Sequence, residues 1–205
     1  FLNQNGLVFP TDQALRKAIH WFFVAQIHQR YTGQTDPRLE HDVTIVLREE
    51  SPWDSLLDQI ADQRGRIDVD PNDFEGRGTW HPLYRMTYIL TKARNAVDWF
   101  NGISIGTPIG DRYRIHSHHI FPQSILYQTE YSSDNHLHRQ IVNAIANRAF
   151  LTGETNLSIS NRLPEDYFPE VEERYPGALE NQFIPMDTQL WQVDRYRDFL
   201  RARRE

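Results

Sequence analysis

Apolar residues recur every three or four positions through the first hundred residues, and this spacing constrains the fold of the chain more than any other feature. Leu15, Ala18, Ile19, Phe22, Phe23 and Ile27 share one side of a helix that Thr11 and Asp12 can cap. The pattern predicts a helix to about residue 31 with its aromatic stripe in the core. After a turn at 32–37, Leu39, Val43 and Val46 repeat the spacing over 38–47, and Ser51-Pro52 opens a third helix through Leu56, Leu57 and Ile60 that Gly65 stops. Residues 66–79, polar and rich in Asp and Gly, read as loop. His81-Pro82 starts a long helix to about residue 100, carried by Leu83, Met86, Ile89, Leu90, Ala93 and Val97. A polar, Pro-punctuated stretch after 163 leads to a final helix over about 188–203.

The texture changes at 101–110, where three glycines and Pro108 interrupt the helical pattern. We therefore divide the chain into a helical portion, 1–110, and a second portion, 111–205, packed together as one compact unit. Residues 111–163 hold five of the nine histidines and five arginines against four acidic residues, whereas the whole chain carries a net charge of −6. The acidity belongs to the helical scaffold, so any nucleic-acid role rests on a local site and the fragment alone is expected to bind DNA weakly. With no cysteine, a disulfide scaffold, a thiolate zinc finger and a cysteine nucleophile are excluded, and a reducing, cytoplasmic setting is expected. The longest strongly apolar run, 19–25, is too short to span a bilayer. A start at Phe1 without a signal-peptide layout suggests a fragment of a longer protein.

The chemistry concentrates in His118-His119-Ile120-Phe121-Pro122, in Asn147-Arg148-Ala149-Phe150-Leu151-Thr152 and in Glu154-Thr155-Asn156. Adjacent histidines can supply one metal ligand and one general base, since imidazole does both near neutral pH. Pro122 is expected to end a strand here and to leave both imidazoles on a loop. Phe150 and Leu151 read as the core of a second short strand, Gly153 as a turn, and 155–161 as a short helix. The order is strand, loop, strand, helix.

That order and those residues resemble the HNH, or His-Me finger, nucleases with their ββα-metal fold, and His-Ile-Phe-Pro-Gln-Ser-Ile-Leu is especially similar to the HNH domain of RNA-guided CRISPR nucleases. Arg30-Tyr31-Thr32-Gly33, Val97-Asp98-Trp99-Phe100-Asn101-Gly102 and His-His-Ile-Phe-Pro together resemble the C-terminal region of GmrSD-type restriction proteins. The resemblance implies a mainly helical α+β chain with an embedded ββα-metal motif closed off by a C-terminal helix. It further implies a metal-dependent DNA endonuclease acting on foreign or modified DNA. His119 would be the base and Asn147 would orient it, while His118 and Asn156 would hold a divalent ion, Mg²⁺ or Mn²⁺ first. The family also implies a nucleotide-hydrolysing domain, N-terminal in the same polypeptide or on a partner subunit, and its Asp-Gly-Gln-Gln-Arg string is absent here. The usual acidic ligand is replaced by His118 and the helix ligand is Asn, a neutral pair that makes Ni²⁺ or Zn²⁺ conceivable.

Other residues are weighed against plainer roles. Arg148 and Arg162 are candidates to brace phosphate oxygens, and His116 is read as structural or supporting the metal shell. His136 and His138 read as surface residues, Trp99 and Trp191 as core, and the arginines at 195, 197, 201, 203 and 204 as a solvated helix end. An alternative from another class is a degenerate HNH module that binds nucleic acid or a partner without cutting. An RNA-directed nuclease would differ only in substrate.

Overall fold

The computed structural model describes residues 1–107, 110 and 113–205, which form two compact units, Phe1–Val69 and Asp70–Glu205. The family of elements is mainly helical α+β, as the sequence suggests. The boundary expected at 110/111 adjoins Asp111, which lies outside the described residues.

The first unit holds α1 (Asp12–Ile27), α2 (Thr35–Arg48) and α3 (Trp53–Arg64). Thr11 caps α1, its hydroxyl accepting from the Ala14 amide at 3.1 Å, and Gly65 ends α3 at φ +79°. Trp53 is buried among Phe1, Phe9 and Trp21, with ring centroids 4.9, 6.3 and 6.2 Å away. The expected aromatic core stripe of α1 is corrected here: Leu15, Ile19 and Phe22 are 38–50% exposed, and the buried residues are Ala18, Val24 and Ala25. At about 100° per residue, the stripe 18/21/25 that meets α3 lies roughly a quarter turn from 15/19/22. The helix spacing was legible, but which apolar side meets a neighbour was not. Leu39, Val43 and Leu47 of α2 are exposed too. The Arg30-Tyr31 pair instead ties the end of α1 to α2. Arg30 Nε donates to Asp42 Oδ2 at 2.7 Å and Tyr31 Oη to the same oxygen at 2.8 Å, with Arg30 and Asp42 both buried.

The second unit holds α4 (Pro82–Ala93), β1 (Ile115–His119), α5 (Gln123–Leu126), α6 (His136–Val142), β2 (Arg148–Thr152), α7 (Gly153–Ile159), α8 (Pro164–Arg174) and α9 (Tyr196–Ala202). Strands β1 and β2 pair antiparallel with His118 opposite Ala149 and His119 opposite Arg148. The long helix expected to reach residue 100 ends at Ala93. Asn95 takes the left-handed conformation, φ +54°, and the Asn95 and Ala96 amides close back on the Lys92 and Thr91 carbonyls, a Schellman stop. The chain then turns through Gly102, at φ +69°, where a Cβ would stand 2.5 Å from the Tyr175 ring.

Three further expectations change. The final helix is two 3₁₀ turns, Thr188–Trp191 and Val193–Arg195, followed by the short α9. Helix α8 occupies the Pro-punctuated stretch, started by Pro164 at its first turn and anchored by buried Tyr167, Phe168 and Val171. Helix α6, capped by Asn135, lies where the sequence pattern marked no helix. The core these helices enclose centres on Trp99, Phe121, Tyr167, Phe168, Trp191, Tyr196 and Phe199. Among the described residues no helix is long and apolar enough to cross a membrane.

Candidate active site

Both histidines lie within β1, not on a loop. The ladder runs to His119 and the Ile120 amide continues it to the Asn147 carbonyl at 3.0 Å, so the chain leaves the sheet only at Phe121-Pro122. Strand alternation then sends the two imidazoles to opposite faces, and both border one open, polar depression with Gln123, Ser124 and Asn156.

On one face, His118 is 2% exposed and meets the α7 side chain Asn156, Nδ1 to Oδ1 2.8 Å. Its Nε2 is 3.3 Å from Tyr167 Oη, which donates to the Ile120 carbonyl at 3.1 Å. Trp99 packs edge-on against the ring at 6.1 Å. Burial, aided by the Arg148 charge and opposed by the Asn156 bond, pushes the His118 imidazole down to about 4, so it is neutral at pH 7. The donor set suits a cation. Two donors bound cis at about 2.1 Å from one ion lie about 3 Å apart, close to the Nδ1–Oδ1 separation here. With Nδ1 on an ion, the ring proton sits on Nε2, where Tyr167 Oη can accept it. Among the described residues no group of three or more His, Asp or Glu side chains is placed to hold a metal, so this pair would be completed by water or substrate.

The helix carrying Asn156 is fixed by Asp98, a residue whose role the sequence did not reveal. Its buried carboxylate accepts from the amides of Phe100 (3.0 Å), Asn101 (3.1 Å) and Thr152 (2.7 Å) and from the Thr155 hydroxyl. One side chain thus joins the turn at 98–101 to the β2–α7 junction.

On the other face, His119 is held by Asn143 and Arg148. Nε2 lies 3.1 Å from Asn143 Oδ1 and Nδ1 lies 3.3 Å from Arg148 Nη1. Asn143 Oδ1 also accepts from Gln123 Nε2 and Arg148 Nη2, both at 2.8 Å. Burial first, and then the Arg148 charge, lowers the His119 imidazole to about 4, against the raising effect of the Asn143 bond.

Asn147, expected to orient His119, is placed otherwise. It is fully buried, its Oδ1 accepting from the Phe121 amide at 2.9 Å and its Nδ2 donating to the Phe121 and Val142 carbonyls at 3.0 Å. It pins the chain leaving β1 to the chain entering β2, and Asn143, four residues earlier, makes the imidazole contact. The two asparagines share one short segment, so only tertiary contacts distinguish them. Arg148 lies beside His119. Arg162 is drawn off to Glu170 (2.9 Å) and the Asp166 carbonyl (3.0 Å). His116 is exposed and its ring lies over Gly153, where a Cβ would be 3.0 Å from Nε2.

The unit that carries this site is the part of the chain with a recognised family. The model of GmrSD restriction endonucleases, C-terminal domain, matches residues 66–204. The chain belongs to this family. The family is described as restriction endonucleases, and the matched part is their C-terminal domain. A relative is an uncharacterized protein of Methanocaldococcus jannaschii, 21% identical over 175 residues that make up 82% of this chain and 28% of that protein. The chain therefore spans little more than a quarter of the curated relative it matches. No solved structure matches.

Proposed function

We propose that this chain carries a metal-dependent DNA endonuclease module of the HNH type, hydrolysing phosphodiester bonds in the restriction of foreign or modified DNA. The observation that carries the reading is the convergence on one depression of the His118–Asn156 pair, 2.8 Å apart, and a second neutral imidazole braced by Asn143. His118 Nδ1 and Asn156 Oδ1 would hold the ion, with Tyr167 orienting the imidazole from behind. A divalent cation supplies charge neutralisation at the scissile phosphate and at the leaving 3′ oxygen. Mg²⁺ and Mn²⁺ are the first candidates, and the neutral donor pair also suits Ni²⁺ or Zn²⁺. His119 would accept the proton of the attacking water through Nδ1, the nitrogen left without a proton when Nε2–H donates to Asn143. Asn147 contributes by holding the two segments between which His119 and Asn143 meet.

Strong attachment to DNA requires more than this unit. Arg195 and Arg201 pair with Asp198, Arg197 with Glu130 and Arg204 with Glu75, while Arg203 donates to three backbone carbonyls. A nucleotide-hydrolysing domain, in the same polypeptide or on a partner subunit, would supply the remaining grip.

The experiment is incubation of the full-length protein with unmodified and modified plasmid DNA under Mg²⁺, Mn²⁺, Ni²⁺ and Zn²⁺, beside His119→Ala. We expect cleavage that His119→Ala reduces by about 10²- to 10⁴-fold. Cleavage undiminished by that substitution overturns the assigned base. Absence of cleavage with every metal favours the second reading, a module that binds nucleic acid or a partner without cutting, which the lack of an acidic ligand beside His118 supports. Ribonuclease activity with intact DNA would move the substrate to RNA.

A further inference from the structure

The hydrogen bonds around His119 determine where its proton sits. Arg148 Nη2 is 2.8 Å from the Asn143 amide atom that His119 and Gln123 also approach. A guanidinium only donates, so that atom is the oxygen, and the other end of the amide donates to the Arg139 carbonyl at 3.0 Å. His119 Nε2, 3.1 Å from an acceptor, therefore carries the ring proton, and Nδ1 carries the lone pair. Arg148 Nη1 stands 3.3 Å from Nδ1 and donates to it. The lone pair that a general base needs is thus covered by a cation.

The cover is built to be displaced. The Nη1 contacts are the long ones, 3.3 Å to His119 and 3.4 Å to Ser117 Oγ, whereas the Nη2 bond to Asn143 is short. The Arg148 Nε is buried and has no hydrogen-bond partner. The guanidinium is therefore firmly held at one corner and incompletely satisfied at the others. Arg–phosphate bonds are charge-assisted and bidentate, stronger than a long bond to a neutral imidazole nitrogen.

We propose that Arg148 gates the base: at rest its guanidinium caps His119 Nδ1, and an incoming phosphodiester draws it away, leaving Nδ1 open to accept the proton of water. The proposal rests on the nuclease reading and adds substrate-linked release to it. It also makes Arg148 both the sensor of the phosphate and the positioning residue of the idle base. Water activation without bound nucleic acid is suppressed by the same contact.

The test is ¹⁵N spectroscopy of the histidine side chains in the full-length protein without metal, the His119 signals being assigned by their loss in His119→Gln. We expect Nε2 to be the protonated nitrogen. In Arg148→Met we expect the Nδ1 resonance to move towards the position of an unbonded imidazole nitrogen. Saturating the unsubstituted protein with a short DNA duplex in EDTA, followed by fluorescence anisotropy, should move Nδ1 the same way and leave it unmoved in Arg148→Met. An Nδ1 resonance identical in the two proteins overturns the cap, and one that stays in place under bound duplex overturns the release. If Arg148→Met loses the native amide spectrum, Arg148→Lys keeps the charge but cannot bridge Asn143 and His119, and its Nδ1 is read likewise. A protein that cuts DNA with an unmoving Nδ1 keeps the nuclease reading and loses the gate. A protein that neither cuts nor binds duplex at any concentration loses both.

Discussion

His118 and His119 are adjacent in sequence and face opposite sides of a strand, yet both, the first buried and the second half-buried, are neutral imidazoles at the edge of one depression. Their neutrality has a consequence for stability in the metal-free protein. An unfolded histidine titrates near 6.5 whereas His118 in the fold titrates at about 4, so below pH 6.5 the unfolded chain takes up a proton that the folded chain refuses. Above pH 6.5 both states are neutral and the stability is whole. As pH falls from 6.5 towards 4 we expect it to decline by up to about 1.4 kcal/mol per pH unit through His118 alone. Urea unfolding in EDTA at a series of pH values measures this, and a midpoint unchanged over that window contradicts it. Asn147 allows a second prediction. Removing its amide leaves the Phe121 amide and the Phe121 and Val142 carbonyls unpaired in the core, so Asn147→Ala should cost about 3 kcal/mol. Denaturant unfolding reads that loss. Asn143→Ala, by contrast, removes a half-buried residue's contacts and should leave the unfolding midpoint far closer to that of the parent.

At the scale of elements, the site depends on stops and turns more than on the helices themselves. Helix α4 ends at Ala93 because Asn95 adopts the left-handed conformation, which frees residues 96–105 to fold back and present Asp98 to β2 and α7. The sequence did not show this stop, because Val97 continues the apolar period past it. Gly102 is required twice over, by its φ of +69° and by the Tyr175 ring that any Cβ would strike. Gly102→Ala should destabilise the protein by more than about 1 kcal/mol. A thermal scan beside the parent would show the lowered Tm, and an unchanged Tm would mean that the turn is not held as described. The strand–strand–helix order around the histidines was legible because Phe150-Leu151, Gly153 and Pro122 mark it locally. Helix α8 was not, because Pro164 and Pro169 obscure a segment whose helicity is held by the burial of Tyr167 and Phe168.

At the scale of the molecule, the second unit, Asp70–Glu205, nearly coincides with the family match at 66–204 and contains every side chain assigned to the candidate site. A fragment of residues 66–205 should therefore fold by itself, with a cooperative transition and the near-ultraviolet signal of buried Trp99 and Trp191. A fragment lacking that signal would contradict the independence of the unit. The first unit is different in kind: it buries an Arg30–Asp42 pair and leaves apolar residues of α1 and α2 exposed. The sequence by itself determined the helical class, the stop at Gly65, the Thr11 cap and the four-part order around His118 and His119. These follow from spacing and from residues that act on their own neighbours. Only the tertiary structure decided which side of α1 is buried, that Asn143 and not Asn147 meets the imidazole, and that Arg148 covers its lone pair. Each of those depends on segments far apart in the chain being brought within hydrogen-bond range, and no local pattern encodes which of two similar residues will arrive there.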